Sequence, residues 1–212
     1  SKGYIDALVD AQSHIDGYFF LEESLSPALL DAMQKVCPIT PNQDGAETPA
    51  YVYSHYFLGR RATALARIDL LNKLSQNFDV TVYTHADCKD ILPTAIYGGK
   101  IDYYDTMPTV FQHSKINLNI TLKTIQTGIP LRAWDILGCS GFLLTNFQQE
   151  LCDFFIPGED FVYYESPPDA IEKAAYFLSH DRERQEIAHN AFEKIAASHT
   201  FHHRVQSMFD II

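Results

Sequence analysis

Cysteine is scarce in this sequence, and long apolar runs are absent from it. The four cysteines form no Cys-x-x-Cys pair: they are Cys37, Cys88, Cys139 and Cys152. We therefore expect a reducing compartment and no disulfide framework. Cys139 lies inside an apolar run, which predicts a buried thiol. No run of about 18 apolar residues occurs and no signal peptide is visible, so we expect a cytoplasmic protein without a transmembrane segment.

Several motifs that bind phosphate or metal ions are also missing. The sequence has no Gly-x-Gly-x-x-Gly fingerprint and no Walker-type Gly-Lys-Ser/Thr loop. It has no Asp-x-Asp pair, and we expect neither a cofactor nor a metal ion. His199, His202 and His203 have no cysteine or acidic partner at helical spacing, so we interpret them as surface histidines rather than metal ligands.

Basic residues are few: 16 Lys and Arg stand against 27 Asp and Glu, for a net charge of −11. Nonspecific binding of nucleic acid needs clustered Lys and Arg, so no nucleic-acid partner is expected. With 212 residues, 46% of them hydrophobic, the chain can bury a sizeable core in one or two domains.

Apolar residues at helical spacing predict two helices between residues 4 and 36. The second helix has Ser26 as its N-cap and Pro27 at its first position. Three prolines, a glycine and polar residues follow from Pro38 to Ala50, which is typical of a linker or a long loop. We therefore predict a helical segment and Pro-rich linker over residues 1–50, followed by a domain over residues 51–212.

Strands and helices alternate within that domain, which predicts an α/β fold with a parallel sheet covered on both faces. The predicted strands are Ala50–Gly59, Asp79–Thr84, Lys115–Thr121, Gly141–Thr145 and Asp160–Tyr164. The predicted helices are Arg61–Gln76, Thr106–His113, one starting at Pro130, Phe147–Phe155, and two or three at the end of the chain.

The first candidate site follows the predicted strand that ends at Gly59. Here Gly59, Arg60 and Arg61 would lie between a strand and a helix, at the carboxyl edge of the sheet, where ligands bind. Glycine allows close approach of a ligand, the helix start offers free N–H groups, and arginine binds phosphate. The alternative is an exposed turn with ordinary arginines.

The second candidate site is the stretch TGIPLRAWD, which also reads as a turn followed by a helix start. Thr127 or Gly128 can cap the helix, and Pro130 suits its first turn. Arg132 and Asp135 project from a similar face and can form an ordinary ion pair. Alternatively, the two Asp135 oxygens accept hydrogen bonds from a ribose diol, while Arg132 faces a diphosphate.

The strand SKINLNIT has an unusual polar face. Lys115 stands at its start, and Asn117, Asn119 and Thr121 alternate with apolar residues. Asparagine is disfavoured in strands, so this face either looks into a binding cleft or bonds to neighbouring loops.

Five stretches together resemble the group-1, CgeB-like (spore-maturation type) glycosyltransferases: YFLGRR, KINLNIT, GIPLRAWDILGCSGFLLTN, ELCDFFIPGEDFVYYES and HDRERQEIAHNAFEKIAASHTFHHR. The resemblance covers about three-quarters of the chain, from Tyr51 to Arg204. It implies the two-domain GT-B architecture, of which this chain is similar to the C-terminal, donor-binding half, a Rossmann-like three-layer domain. A missing N-terminal domain is then expected to bind the acceptor.

The resemblance also implies roles for the candidate residues. Arg60 and Arg132 would act in catalysis by neutralising the diphosphate, and the turn that starts at Tyr103 would lie near the base. Asp135 matches in type the second of two family glutamates, which contacts the ribose. Thr127 stands in place of the first glutamate, and the neighbouring backbone can serve instead. The remaining implied substrate-binding residues are Gly59, Arg61, Lys115, Asn119, Gly128, Ile129, Pro130 and Leu131.

The expected reaction is transfer of a sugar from a nucleotide-diphosphate sugar, such as a UDP-sugar, to an unknown acceptor without a metal ion. Arginine side chains and helix N-termini would stabilise the leaving diphosphate as its charge grows. Alone, the chain is expected to bind nucleotide weakly and to transfer little sugar.

Two other classes of protein are alternatives. The first is a noncatalytic α/β binding or interaction module derived from the same fold, which the absence of the first glutamate favours. The second is a flavodoxin-like regulator, for which Asp87 is a weak candidate phosphorylation site.

Overall fold

The computed structural model describes residues 2–15, 21–40, 45 and 47–210. The chain forms two compact units, one of Ser1–Leu70 with Thr121–Gln126, the other of Leu71–Ile120 with Thr127–Ile212. The first unit thus reaches residue 70, whereas the sequence predicts a boundary at residue 50. Part of the predicted linker, residues 41–44 and 46, lies outside the described residues.

Both helices predicted near the amino terminus are confirmed, as α1 (Lys2–Ser13) and α2 (Pro27–Val36). The Ser26 side chain accepts a hydrogen bond from the Leu29 N–H, and Pro27 occupies the first turn, as predicted. The buried apolar side chains of these helices form the core of the first unit together with residues further along. This core contains Val9, Leu21, Leu25, Leu29, Tyr53, Leu58 and Ala62.

The strand predicted over Ala50–Gly59 is wrong, because this stretch is helical. α3 (Pro49–Val52) continues through a π-helical segment, Tyr53–Gly59, into α4 (Arg60–Ser75). The Tyr53 ring is buried in the core, and its hydroxyl lies 2.6 Å from the Cys37 carbonyl oxygen. Aromatic residues favour strands only weakly, and here their packing on a helical face overrides that preference.

Gly59 is a packing residue inside this continuous helix. A Cβ atom at Gly59 would lie 2.1 Å from Cγ2 of Thr124, so glycine lets the segment Thr121–Gln126 pack against the helix. The Arg60 N–H already donates to the Phe57 carbonyl. The predicted strand-to-helix turn is therefore absent, and Arg60 and Arg61 do not stand at a helix start with free N–H groups.

The second unit contains parallel strands, as predicted, but they are divided between two sheets. In chain order its elements are β1 (Thr81–Tyr83), β2 (Ile96–Gly99), α5 (Met107–His113), β3 (Asn117–Asn119), α6 (Leu131–Gly138), β4 (Leu143–Asn146), β5 (Val162–Tyr164), α7 (Pro167–Ser179), α8 (Asp181–Ser198) and α9 (Phe201–Phe209). β1 pairs with β2, and the second sheet has the order β3-β4-β5. The sequence prediction missed β2, which contains two glycines and ends on one.

The three-stranded sheet and α6 organise the core of this unit. In its register Leu118 stands beside Leu144, and Leu144 stands beside Val162. A short 3-10 helix, Gln149–Asp153, joins β4 to β5, within the range of the short helix predicted over Phe147–Phe155. The buried core contains Phe111, Ala133, Ile136, Leu137, Leu143, Leu151, Phe155, Phe161 and Ala191. The fold is therefore a mixed α/β, Rossmann-like arrangement with parallel strands.

His199 is a structural residue at the end of α8 rather than a free surface histidine. Its ring lies 5.2 Å from the Trp134 ring and 5.4 Å from the Phe154 ring, measured between centroids. Its Nδ1 atom lies 2.7 Å from Nη2 of Arg204. The next residues cap α9, since Thr200 and His203 form a reciprocal capping pair. In the described part of the chain, no cluster of three His, Cys, Asp or Glu side chains could hold a metal ion.

All four cysteines are free thiols. Cys139 is half-buried rather than fully buried, and burial together with the Asp135 carboxylate raises the pKa of its thiol. Among the helices that the structure describes, none is long and apolar enough to cross a membrane.

Replacing Gly59 with alanine should destabilise the protein, because the new Cβ would collide with Thr124. We expect the free energy of unfolding, measured by urea titration, to fall by about 1–3 kcal/mol. Adding Thr124→Ala should recover most of this loss. The control is Gly3→Ala in α1, where no other group lies within 4 Å of the new Cβ. An equal loss in the two alanine variants would contradict this packing role.

Stability should fall at mildly acidic pH because of His199. Burial, and then Arg204 and His203, lower the pKa of His199 below its ordinary 6.5. As the pH falls, the unfolded chain therefore takes up a proton that the folded chain does not, and unfolding becomes easier. Between about pH 7 and pH 5, His199→Gln should lose less stability than the unmodified chain.

Urea unfolding at several pH values measures this dependence. His202→Gln is the control, since it removes an exposed imidazole of α9 that lies outside the contacts with Trp134 and Arg204. The slope of the unfolding free energy against pH must change more in His199→Gln than in the control variant. If the unfolding free energies of the unmodified chain and of His199→Gln fall in parallel with pH, His199 is not the cause of the acid destabilisation.

Candidate functional site

A polar cluster surrounds the first turns of α6, next to the carboxyl edge of the three-stranded sheet. α6 follows β3, so its amino end lies where parallel strands end and where ligands bind in open α/β folds. We call this group the edge cluster, and its members are Tyr103, Gly128, Arg132, Asp135 and Glu150. All five belong to the second compact unit.

The loop before α6 presents backbone groups rather than a capping side chain. The N-cap is Pro130, which provides no side-chain cap, so the predicted capping by Thr127 or Gly128 is wrong. Gly128 is exposed and has a φ of 95°, a left-handed conformation that favours glycine. Its N–H donates to the Glu150 carboxylate, which comes from the 3-10 helix after β4.

Asp135 lies on the side of α6 that faces away from the core. The apolar face of the helix buries Ala133, Ile136 and Leu137, which leaves Asp135 half-buried. Its Oδ2 atom accepts a hydrogen bond from the hydroxyl of Tyr103. The carboxylate therefore already binds a hydroxyl group, although this hydroxyl belongs to the protein itself.

The turn that carries Tyr103 is held by Asp102. Oδ1 of Asp102 accepts hydrogen bonds from the N–H groups of Tyr104 and Asp105, each at 2.8 Å. These two bonds lower the pKa of the Asp102 carboxyl. The turn is thus organised locally, and it brings Tyr103 to a residue 32 positions away in the chain.

Arg132 lies against two aromatic rings. Its guanidinium carbon is 5.8 Å from the centroid of the Tyr103 ring and 5.8 Å from that of Phe111. Among the salt bridges between described residues, none joins Arg132 to Asp135, so the simple ion pair is not formed. Cation–π contacts orient the exposed arginine instead, and its charge lies close to the Tyr103 hydroxyl.

The pKa of the Tyr103 hydroxyl is shifted by both Asp135 and Arg132. Burial and then the Asp135 carboxylate raise its pKa, because a phenolate beside a carboxylate would place two negative charges together. Arg132 acts in the opposite direction and lowers the pKa of the same hydroxyl. The two charged side chains therefore act on the Tyr103 hydroxyl in opposite directions.

The buried amides on the polar face of β3 form hydrogen bonds to neighbouring segments of the same unit. The buried Asn117 amide donates to the Phe111 carbonyl at 2.9 Å, and the buried Asn119 amide donates to Thr145 Oγ1 at 3.0 Å. Of the two alternatives, hydrogen bonding to neighbouring segments is the one observed for these amides. Lys115 precedes the amino end of β3, on the side of the sheet opposite its carboxyl edge. Its Nζ atom lies 4.0 Å from Oδ1 of Asp181.

The other candidate residues are divided between the two units. Gly59, Arg60 and Arg61 belong to the first unit, where Arg60 lies over the Tyr56 ring at 5.4 Å. In the second unit, Ile129 packs against the core and Leu131 is 80% exposed at the start of α6. The structure thus brings Tyr103, Gly128, Arg132 and Asp135 together in one unit.

Glu150 is a member of the edge cluster that the sequence prediction did not include. The available signal was its position shortly after a buried strand, since β4 ends at Asn146. Its contact with Gly128 joins residues 22 positions apart, which no local pattern indicates.

A comparison with protein families identifies the group to which the chain belongs. Residues 61–210 match the family model described as glycosyl transferase-like, which is more than two-thirds of the 212 residues. The chain therefore belongs to this glycosyltransferase-like family. The matched range contains every member of the edge cluster. Comparisons with curated proteins and with solved structures found no match.

Removing the charge of Asp135 should lower the pKa of Tyr103, because the phenolate would no longer face a carboxylate. Asp135→Asn tests this, and Arg132→Gln should shift the same pKa upward. NMR titration of 13C-labelled tyrosine, with Tyr103→Phe to assign the signal, measures both shifts. Shifts of the same sign in the two variants would rule out the described contacts.

Proposed function

We propose that this chain is the donor-binding half of a metal-independent GT-B glycosyltransferase of the CgeB-like type. It would bind a nucleotide-diphosphate sugar and act with a second domain that holds the acceptor. The single observation that carries this proposal is the hydroxyl-binding Asp135 carboxylate at the ligand edge of a glycosyltransferase-like domain.

Asp135 is the proposed ribose contact. A carboxylate has two oxygens that can accept hydrogen bonds from two vicinal hydroxyls. Asp135 is half-buried, so its interactions are less screened than those of a fully exposed group. Tyr103 occupies one of its oxygens with a hydroxyl, the same chemical group that a ribose presents.

The backbone from Gly128 to Leu131, together with Arg132, is the proposed diphosphate contact. The first N–H groups of α6 receive no capping side chain, and the positive end of the helix dipole lies there. Arg132 adds a positively charged guanidinium that can form charge-assisted hydrogen bonds to phosphate. The proposed site uses residues of the second unit only.

In the proposed reaction, the glycosidic bond breaks as negative charge grows on the leaving diphosphate. The Arg132 guanidinium and the α6 amino end would stabilise this charge more in the transition state than in the ground state, which accelerates the step. The α6 amino end is formed by backbone groups, so this part of the proposed site needs little reorganisation during the reaction. The acceptor and any catalytic base would come largely from the second domain.

The noncatalytic binding module remains the alternative. Thr127 replaces the first family glutamate, and the Gly59–Arg61 stretch lies inside a helix instead of at its start. A fold that kept its core and lost its donor site would show both features. Binding of nucleotides separates the two functions, since the module would bind none.

Isothermal titration with UDP, GDP and their sugars tests the donor site. Asp135→Ala should weaken binding by about 10- to 100-fold, as expected when hydrogen bonds to a charged group are lost. The control is Asp153→Ala, which removes an exposed carboxylate from the nearby 3-10 helix and should leave affinity unchanged. Thermal unfolding checks that both variants fold. If Asp135→Ala binds as tightly as the unmodified chain, Asp135 is not the ribose contact.

A further inference from the structure

We propose that the donor site is autoinhibited by two of its own side chains, which occupy the positions of the nucleotide. The Glu150 carboxylate accepts a hydrogen bond from the Gly128 N–H that would face the diphosphate. The Tyr103 hydroxyl donates to the Asp135 oxygen that would face the ribose. This inference rests on the proposed function, because it concerns the state of that same site.

The Glu150 contact imitates a phosphate. A carboxylate oxygen is an anionic acceptor, as a phosphate oxygen is, and it binds the same exposed N–H of Gly128. Glu150 lies on the 3-10 helix, whose only fully buried side chain is the neighbouring Leu151. The carboxylate can therefore leave Gly128 by rotation of its side chain, without disturbing the core.

The Tyr103 contact imitates a ribose. A phenol hydroxyl donates one hydrogen bond to Asp135, as one hydroxyl of a ribose diol would. The Tyr103 side chain is 41% exposed, so it can swing out at little cost in buried area. The Arg132 guanidinium lies against the Tyr103 ring. When the ring moves away, Arg132 would be free to face the diphosphate.

These contacts reduce the apparent affinity for a donor. A nucleotide must displace both side chains, so the measured affinity is the intrinsic one multiplied by the fraction of molecules in which the site is open. Both contacts are partly exposed, and such contacts are worth little individually, so each should weaken binding only about two- to fivefold. Because the two side chains block different atoms, their effects should multiply, to about tenfold together.

Removal of the two contacts should therefore tighten binding, the opposite of what removal of ordinary ligand contacts does. The variants are Glu150→Ala, Tyr103→Phe and the double variant, titrated calorimetrically with UDP and GDP. Asp153→Ala is the charge control, since it removes a carboxylate from the same 3-10 helix as Glu150. Tyr176→Phe is the hydroxyl control, since Tyr176 also donates to a carboxylate, that of Glu183, at 2.9 Å.

Inorganic pyrophosphate serves as a second probe, because it carries the diphosphate without a ribose. Glu150→Ala should tighten pyrophosphate binding. Tyr103→Phe should change it little, because phenylalanine keeps the ring against which Arg132 lies and removes only the hydroxyl that faces the ribose. Thermal unfolding of each variant confirms that it folds. This pattern separates the two contacts and distinguishes a local effect at Gly128 from a general change of charge.

The outcomes separate this inference from the proposed function. Tighter binding by the double variant, while the controls match the unmodified chain, supports the inference, even if the unmodified chain binds no nucleotide detectably. If the unmodified chain binds and Glu150→Ala and Tyr103→Phe bind equally well or more weakly, only the inference is overturned. If neither the unmodified chain nor the double variant binds a nucleotide, the proposed function fails together with the inference.

Discussion

The burial of one face of α6 is the constraint on which the candidate site depends. Ala133, Ile136 and Leu137 are buried at helical spacing, and this burial sets the rotation of the helix about its axis. With that rotation, Arg132 and Asp135 point away from the core, at the edge of the sheet where β3 and β4 end. The apolar residues thus determine where the polar ones can act, although they take no part in binding themselves.

The edge cluster combines this constraint with contacts from two other segments. The turn around Tyr103 and the 3-10 helix with Glu150 both reach the start of α6, and each contributes one hydrogen bond. Two groups of the proposed nucleotide site, the Gly128 N–H and the Asp135 carboxylate, are therefore already hydrogen-bonded within the protein. Such pairing limits the cost of leaving partly buried polar groups without hydrogen bonds.

Much of the fold was predictable from the sequence, because apolar periodicity and turn residues indicate local structure directly. The capped start of α2 at Ser26 and the strands β3, β4 and β5 were found in this way. The stretch Tyr53–Gly59 was misread, because its aromatic residues favour strands, whereas the helical packing of Tyr53 and Leu58 decides its structure. A weak local preference is readily overridden when large side chains can be buried in another conformation.

The sequence by itself determined α1, α2 and most helices and strands of the second unit, the glycosyltransferase character of the chain, and the candidates Arg132 and Asp135. Only the tertiary structure decided their partners: Arg132 lies on the rings of Tyr103 and Phe111, and Asp135 accepts the Tyr103 hydroxyl. It also brought Glu150 to Gly128 and placed Gly59 inside a helix, packed against Thr124. The physical reason is the sequence separation of the interacting residues. Helix and strand patterns arise between near neighbours, whereas these contacts join segments far apart in the chain that meet only when the core has formed.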